Sequence, residues 1–434
     1  MGRYVWGRGA AFVKLSASAA VPLLVLLATT SRAEAQQPVD QEQSVADRPH
    51  PEWDPLGLVV PGFVIYPSIT SELHATDNYL ATESNRKGDI FLTIHPEVSV
   101  RSRWNRNSLN LRAFVEQQVH ANLPRQNVTA GAVFADGTYD VDHATKFVGN
   151  VSAGRFVESQ AGLGSFLGSF EPVEYDLFRG SAQLSRDFAR MSVTGSARIE
   201  RRNFHDVTGP HGFVLDQDFR DSTVYLIDGN VAYSLSADIG LIVSGHYDNW
   251  RYDFRPGSPQ FIQGLTLDRD TSGYSLEGGI TVRPNSLVSG SLQFGYLKRQ
   301  YEDPRLQEFS GLTVDADIFW NVTRLTTVHG SATRSVQDSS SPLIAGNVRT
   351  EVDLGVDHEL YRNVLLSADA GYARFRANGP SPGGDEFTAG CGIRYLVNRR
   401  ITLGANIRHS RRYSDVAPLR YEATRATVRV RLAI

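Results

Sequence analysis

The sequence is short of cysteine, lysine and helical periodicity, and each shortage removes a class of protein. A single cysteine, Cys391, stands in 434 residues, so no intramolecular disulfide can hold the chain together. Lysine occurs only at Lys14, Lys87, Lys146 and Lys298, leaving arginine as nearly all of the 44 basic residues. The formal net charge is −3; without a basic excess, no nucleic-acid partner is expected. After residue 40 no stretch approaches the roughly 18 apolar residues of a membrane helix. A mean hydropathy of −0.26 suggests a soluble protein, but membrane β-strands carry a far weaker signal per segment than helices do. Apolar residues almost never recur at i, i+3, i+4 and i+7, so a helical bundle or layered α/β fold is not expected.

What is present begins with an export signal. Arg3, Arg8 and Lys14 precede the apolar run Val21 to Ala28, and Ala33-Glu34-Ala35 fits a small-x-small cleavage pattern. Residues 1–35 therefore read as a signal peptide. Residues 36–61, polar and proline-bearing, read as an extended periplasmic leader. Residues 62–434 follow a different rule, with apolar side chains at period two. Ile90, Leu92, Ile94, Val98 and Val100 alternate with Thr93, His95, Glu97, Ser99 and Arg101; Ile401, Leu403, Ala405 and Ile407 alternate with Thr402, Asn406 and Arg408. The connections sort into short polar turns such as "RPNSL" and "LVNRR" and long Gly/Pro/Ser/Asp-rich loops such as "RPGSPQFIQGLTLDRD", in alternation. About eighteen strands result, or sixteen if the fourth ("TAGAVFADGTYDV") and ninth (239–252) runs are not strands.

A soluble sandwich or propeller also alternates, but its strands cluster near five or six residues. Strands of ten to fifteen, with loops sorted by rim, fit an all-β fold: a transmembrane, antiparallel, up-and-down β-barrel. The final strand "ATRATVRVRLAI" then turns Ala426, Val428, Val430, Leu432 and Ile434 to lipid and Thr427, Arg429 and Arg431 to the lumen, and closes against the first strand. Tyr225, Tyr233, Tyr247, Tyr274, Tyr296, Tyr372 and Tyr395 fall on the expected outward face, near strand ends where aromatic girdles sit.

Three stretches, "RPHPEWDPLGLVVPGFVIYPSI", "GVDHELYRNVLLSADAGY" and "YLVNRRITLGANIRHSRR", resemble the putative β-barrel porin 2 family of proteobacterial outer-membrane proteins, over roughly residues 48 to 434. The resemblance implies a barrel in the outer membrane of a Gram-negative bacterium. Some members are similar to proteins encoded beside polysaccharide-production systems, so polysaccharide is an implied partner. Such chains commonly end in Phe, the residue favoured by the barrel-assembly machinery; this one ends in Ile434.

Catalytic motifs fail on inspection. In "GPSPG" the residue after Ser381 is Pro382, which has no N–H for an oxyanion hole. In "HELYR" the second zinc ligand after His358 is replaced by Arg362. Asp216, Asp218 and Asp221, and Asp268 and Asp270, lack the glycine and distal glutamate of a calcium loop and read as solvated charge. No enzyme activity and no cofactor is expected.

The lumen charges are the better lead. Glu351, Asp353, Asp357, Glu359 and Asp369 face inward on two strands, and Arg394, Arg408, Arg412, Arg425, Arg429 and Arg431 on the last three. Acidic and basic faces in one bore would set a transverse field and a charge-selective constriction. The expected function is a porin-like channel for small hydrophilic solutes or glycans. The competing expectation is a non-conducting accessory protein for polysaccharide export or surface assembly. Expected partners are outer-membrane lipid and lipopolysaccharide.

Overall fold

The computed structural model describes residues 43–159, 171–209, 212–259, 261–262, 266–282, 287–338, 346–377 and 383–434. The signal-peptide segment 1–35 and Ser381 lie outside them. Eighteen strands form one antiparallel sheet that closes on itself. In chain order they are β1 (Phe63–Thr76), β2 (Asp89–Ser102), β3 (Ser108–His120), β4 (Val128–Asp140), β5 (Thr145–Val157), β6 (Glu174–Asp187), β7 (Met191–Phe204), β8 (Ser222–Ser234) and β9 (Ile239–Tyr252). They continue as β10 (Thr271–Val282), β11 (Val288–Tyr301), β12 (Phe309–Thr323), β13 (Thr326–Asp338), β14 (Gly346–Tyr361), β15 (Val364–Ala377), β16 (Gly384–Leu396), β17 (Ile401–Ser414) and β18 (Tyr421–Ala433). Both doubtful runs, β4 and β9, are full strands. No helix among the described residues is long and apolar enough to cross a membrane.

Each strand pairs with its chain neighbours, the connectivity of an up-and-down barrel. Short connections such as 103–107 and 324–325 gather at one rim; the long ones, 158–173, 205–221 and 253–270, gather at the other. Strands of 12 to 16 residues exceed the roughly 9–11 a tilted crossing needs, so their ends can project past the hydrocarbon. β-Bulges interrupt the register between Asn321 and Thr323 and between Glu359 and Tyr361, both at the short-turn rim.

The seam joins β1 to β18 over Ser68–Thr76, with Ser68 opposite Ala433 and Thr76 opposite Arg425. Below that, β18 has run out, and Ile434 N–H makes the last bond, to the Pro67 carbonyl (3.2 Å). The exposed edge of β1 is then taken by Leu58–Val60, which pairs back on Phe63–Ile65. The reversal is a two-residue turn at Pro61-Gly62; Pro pre-sets the first position and Gly62 supplies the required positive φ (80°). Leu58 and Val60, opposite Ile65 and Phe63, are exposed and continue the apolar outer wall, whereas Val59 has the inward parity of Val64.

Alternation sets the faces as expected. Val428, Val430, Leu432 and Ile434 are exposed on the outer wall, whereas Thr427 and Arg429 are buried inside. Six of the seven girdle tyrosines are exposed outward; Tyr372 is half-buried and donates its hydroxyl to Asp385 (2.6 Å). The interior departs from an all-polar lining near the long loops. Val224, Leu226, Trp250 and Tyr252 point inward as one buried cluster, and Phe204 packs with Val173 and Val207 as another. Loop residue Arg220 lies 3.9 Å over the Phe204 ring and pairs with Glu158. Around Phe204 and Tyr252 loop arginines fold back over the inward apolar side chains, a local core in place of a wet surface.

Leu276, mid-strand on β10 and 64% exposed, tests which face meets lipid. Leu276→Arg should cost about 2–4 kcal/mol in denaturant unfolding from lipid vesicles, as a charge at the bilayer midplane does. A cost near zero would place that face in water.

Candidate functional site

The candidate site is the inner wall of the arc β14–β18. All eleven charged residues singled out in the sequence lie on the inward parity of their strands. The acidic and basic sets do not oppose each other across the bore, however. They occupy successive strands of one arc and pair along it, because β14, β15, β16, β17 and β18 are neighbours in the ring. A transverse field between opposed faces is therefore not what this wall builds.

The pairs fall into two kinds. Arg412 donates from Nε to Glu386 (3.0 Å), with both side chains 4% exposed, while its guanidinium lies 4.8 Å from the Tyr421 ring. Arg429 pairs with Glu72 across the seam, again with both side chains buried. Such ions are already desolvated and satisfied by the wall, so they act as structure and offer little to a solute. Arg408 and Asp369 (2.7 Å) are more open, at 24% and 37% side-chain exposure. Arg431 reaches the Ser68 hydroxyl at 3.4 Å. Glu351 is taken by Arg349 on the same strand (3.0 Å), and Asp353 lies against the open face of Gly371.

Arg425 differs from the rest. Register sets it directly opposite Arg408, an arrangement of like charges that costs stability unless relieved. Asp369 relieves Arg408, and the Phe91 ring lies 5.4 Å from the Arg425 guanidinium. Asp369 thus serves Arg408, while Arg425 rests against the Phe91 ring. Phe91 is itself stacked between His74 (4.4 Å) and His120 (4.7 Å), and the His120 Nδ1 contacts Asp89 at 2.6 Å.

The remaining three charges hold the leader. Residues 43–56 do not run as an extended strap; two turns fold them into the short-turn mouth, with Asp47 N–H bonded to the Ser44 carbonyl and Trp53 N–H to that of His50. Val45 is fully buried. The Ser44 hydroxyl donates to Asp357, and Val45 N–H donates to the Thr327 hydroxyl (3.1 Å). Arg394 donates to the Ala46 carbonyl (2.6 Å), and Arg399 to the carbonyls of Pro51 (3.2 Å) and Glu52 (3.3 Å). Arg48 donates to the Arg324 carbonyl (2.7 Å) and to Asn321 (2.8 Å). Burial pulls the Arg48 pKa down, and the nearby Glu359 carboxylate partly offsets this.

Glu72, Glu386 and Arg349 were missed in the sequence although inward parity on β1, β16 and β14 marks them. The leader contacts had no local signal at all.

In the loop 205–221, Asp206, Asp216 and Asp218 place carboxylate oxygens within 4.8 Å of one another, all three residues exposed. Asp221, grouped with them in the sequence, is elsewhere: it accepts the Phe204 N–H (2.7 Å). Burial, helped by Asp218 and Asp253, pushes its pKa up to about 6 against the Phe204 hydrogen bond and Arg201.

A family model described as "Putative beta-barrel porin 2" matches residues 50–434. No curated protein matches the chain. Among solved structures, the chain is similar to the FrpB iron transporter from Neisseria meningitidis in its apoprotein form, at 9% identity and TM-score 0.48, covering 82% of this chain and 62% of that one. It is also similar to OpdL of Pseudomonas aeruginosa (9% identity, TM-score 0.43, 86% and 99% covered). A third is OccK2 (OpdF) of Pseudomonas aeruginosa in complex with glucuronate (11% identity, TM-score 0.46, 85% and 98% covered). These are distant likenesses of architecture.

The two kinds of pair should separate by stability. Arg412→Ala strands a buried Glu386 and should cost about 3–5 kcal/mol, whereas Arg408→Ser at an open pair should cost at most about 1 kcal/mol. Urea unfolding from vesicles measures both; equal costs would erase the distinction. For Asp221, a folded pKa above the unfolded value means that folding takes up a proton between them. Protection of 205–221 in hydrogen exchange, corrected for intrinsic rates, should therefore fall as pH rises from about 4 to about 6. Asp221→Asn should flatten that profile.

Proposed function

The chain belongs to the putative beta-barrel porin 2 family, and from that premise we propose that it is an outer-membrane channel for passive passage of small hydrophilic solutes, with a preference for anionic ones. The observation that carries the preference is the Arg408–Arg425 pair, two inward guanidiniums opposite each other in register, of which Arg408 is paired with Asp369. Arginine stays charged at any working pH and presents a planar fork that matches carboxylates and phosphates. Arg431, further down the same wall, extends the track toward the short-turn mouth. An eighteen-stranded bore is too wide for side chains alone to fill. Solutes would pass the long-loop rim, follow the basic wall and leave beside the folded leader. Acidic glycans or their fragments meet the same chemical requirement.

A second reading is favoured by the leader itself. With Val45 fully buried and Arg394 and Asp357 committed to residues 44–46, the mouth is narrowed. A lumen held shut there would suit a scaffold for polysaccharide export or surface assembly.

Planar-bilayer recording separates the readings. A channel gives stepwise openings with anion-selective reversal potentials. Replacing Arg408, Arg425 and Arg431 with Ser should shift selectivity toward cations, and deleting residues 43–56 should raise the unit conductance without changing the sign of selectivity. Silence from wild type and deletion alike, across salts and voltages, overturns the channel; an unchanged reversal potential in the triple variant overturns the basic track.

A further inference from the structure

The outer wall of β15–β18 breaks the apolar rule at one place. Register aligns outward-facing Arg374 with Asp385 and Asp385 with Tyr413 in one row. The next row toward the short turns holds Tyr372, Phe387, Arg411 and Glu422. Beneath it lie Ala370, Ala389, His409 and Thr424, then Ala368, Cys391, Ile407 and Ala426. Arg376 stands above Arg374 at the long-loop end of β15 and, like Arg374, Arg411, Phe387 and Tyr413, is exposed. Three arginines and an aromatic belt thus sit at the rim, directly above a shallow trough floored by alanines.

Arginine on a lipid-facing strand is tolerated near the interface, where its cost falls to about 0–1 kcal/mol. Interface depth alone does not supply these arginines with counter-charge. Asp385 accepts from Arg374 (2.8 Å) and from the Tyr372 hydroxyl (2.6 Å). Glu422 is occupied by Arg86 (3.1 Å) and His409 (3.6 Å). Among the described residues neither Arg376 nor Arg411 has a carboxylate at ion-pair distance; Asp385 and Glu422 act on them only at longer range, and the Arg411 guanidinium lies 4.4 Å from the Tyr413 ring. A recess of about 320 Å³ opens at the top of the patch, where Arg374 and Arg376 line it together with Asp385, Asp415, Tyr413 and Ser414. The contrast across the barrel is informative. There, outward Arg155 is held by Asp176 (2.8 Å) and outward Arg201 by Asp253, so both cations are matched within the protein.

We propose that the outer wall of β15–β18 is a docking site for an outer-leaflet lipid with a phosphorylated headgroup, its phosphoryl oxygens on Arg376 and Arg411 and an acyl chain in the alanine trough below. The cationic excess selects phosphate, to which guanidinium bonds in bidentate fashion. Phe387 and Tyr413 lie at headgroup depth, where aromatic rings are favoured. Ala370, Ala389 and Ala426 leave room along the strands where longer side chains would push the chain away. The site rests on the outer-membrane reading of the barrel, with the long loops on the outer leaflet, but not on conduction.

The test is native mass spectrometry of the intact barrel in mixed micelles carrying bis-phosphorylated lipid A or its dephosphorylated form. Wild type should retain the phosphorylated lipid and lose it on dephosphorylation. Arg376→Ser with Arg411→Ser should lower retention about tenfold, the scale of one charge-assisted hydrogen bond lost. Ala389→Trp should lower it by filling the trough, while Arg155→Ser should leave it unchanged. Heat-modifiable gel migration shows that each variant is folded, and unchanged conductance of the double variant keeps this result separate from the channel. Equal retention by wild type and the double variant overturns the site. Full displacement by inorganic phosphate at matched phosphoryl concentration overturns the lipid as its occupant.

Discussion

Everything in this molecule follows from one requirement: no backbone N–H or C=O can face hydrocarbon unpaired. A sheet meets it only by closing, and closure puts the greatest demand on the first and last strands. β18 bonds to β1 from Thr76 down to Ser68 and stops; the Pro61-Gly62 hairpin then supplies Leu58–Val60 to cover what remains. The last residues of the leader thus finish the wall. Closure also decides what the two faces must be, since alternation along a strand turns every second side chain to lipid and the others into the lumen.

That is why so much of the fold was legible. Period-two alternation and the sorting of short and long connections place all eighteen strands, including β4, whose Gly- and Ala-rich stretch dilutes the apolar signal, and β9, where polar residues crowd the second half. What escaped is what alternation does not encode. Inward Val224, Leu226 and Trp250 look like errors of polarity until their neighbours are seen: the strand arginines Arg202 and Arg299 lie over Trp250, and loop residue Arg269 lies over Tyr252 in the same cluster. The partners Glu72 and Glu386 were within reach of the same parity rule, applied to β1 and β16. The contacts of Ser44 and Ala46 were not, for they are made with residues 313 and 348 positions away, and a polar, proline-bearing stretch reads as extended when its partners are that remote.

The arginine wall illustrates how burial sorts one residue type into several jobs. Arg412 and Arg429 are consumed by buried carboxylates and hold strands together. Arg394 is consumed by a backbone carbonyl of the leader. Arg408 and Arg425 stand side by side, with Asp369 on the far side of Arg408, and so offer charge that a solute can use. Identity and direction were readable from the chain; availability was not, because it depends on what stands opposite.

The folded leader has a consequence for biogenesis. Its anchoring groups, Thr327, Asp357 and Arg394, come from strands made late in synthesis, and they converge on one mouth only when the arc β13–β16 has paired. Closing so long a loop carries an entropic penalty that local contacts cannot offset in advance. Residues 44–52 can therefore dock only after that arc is in place, and their protection is a built-in witness that it has formed.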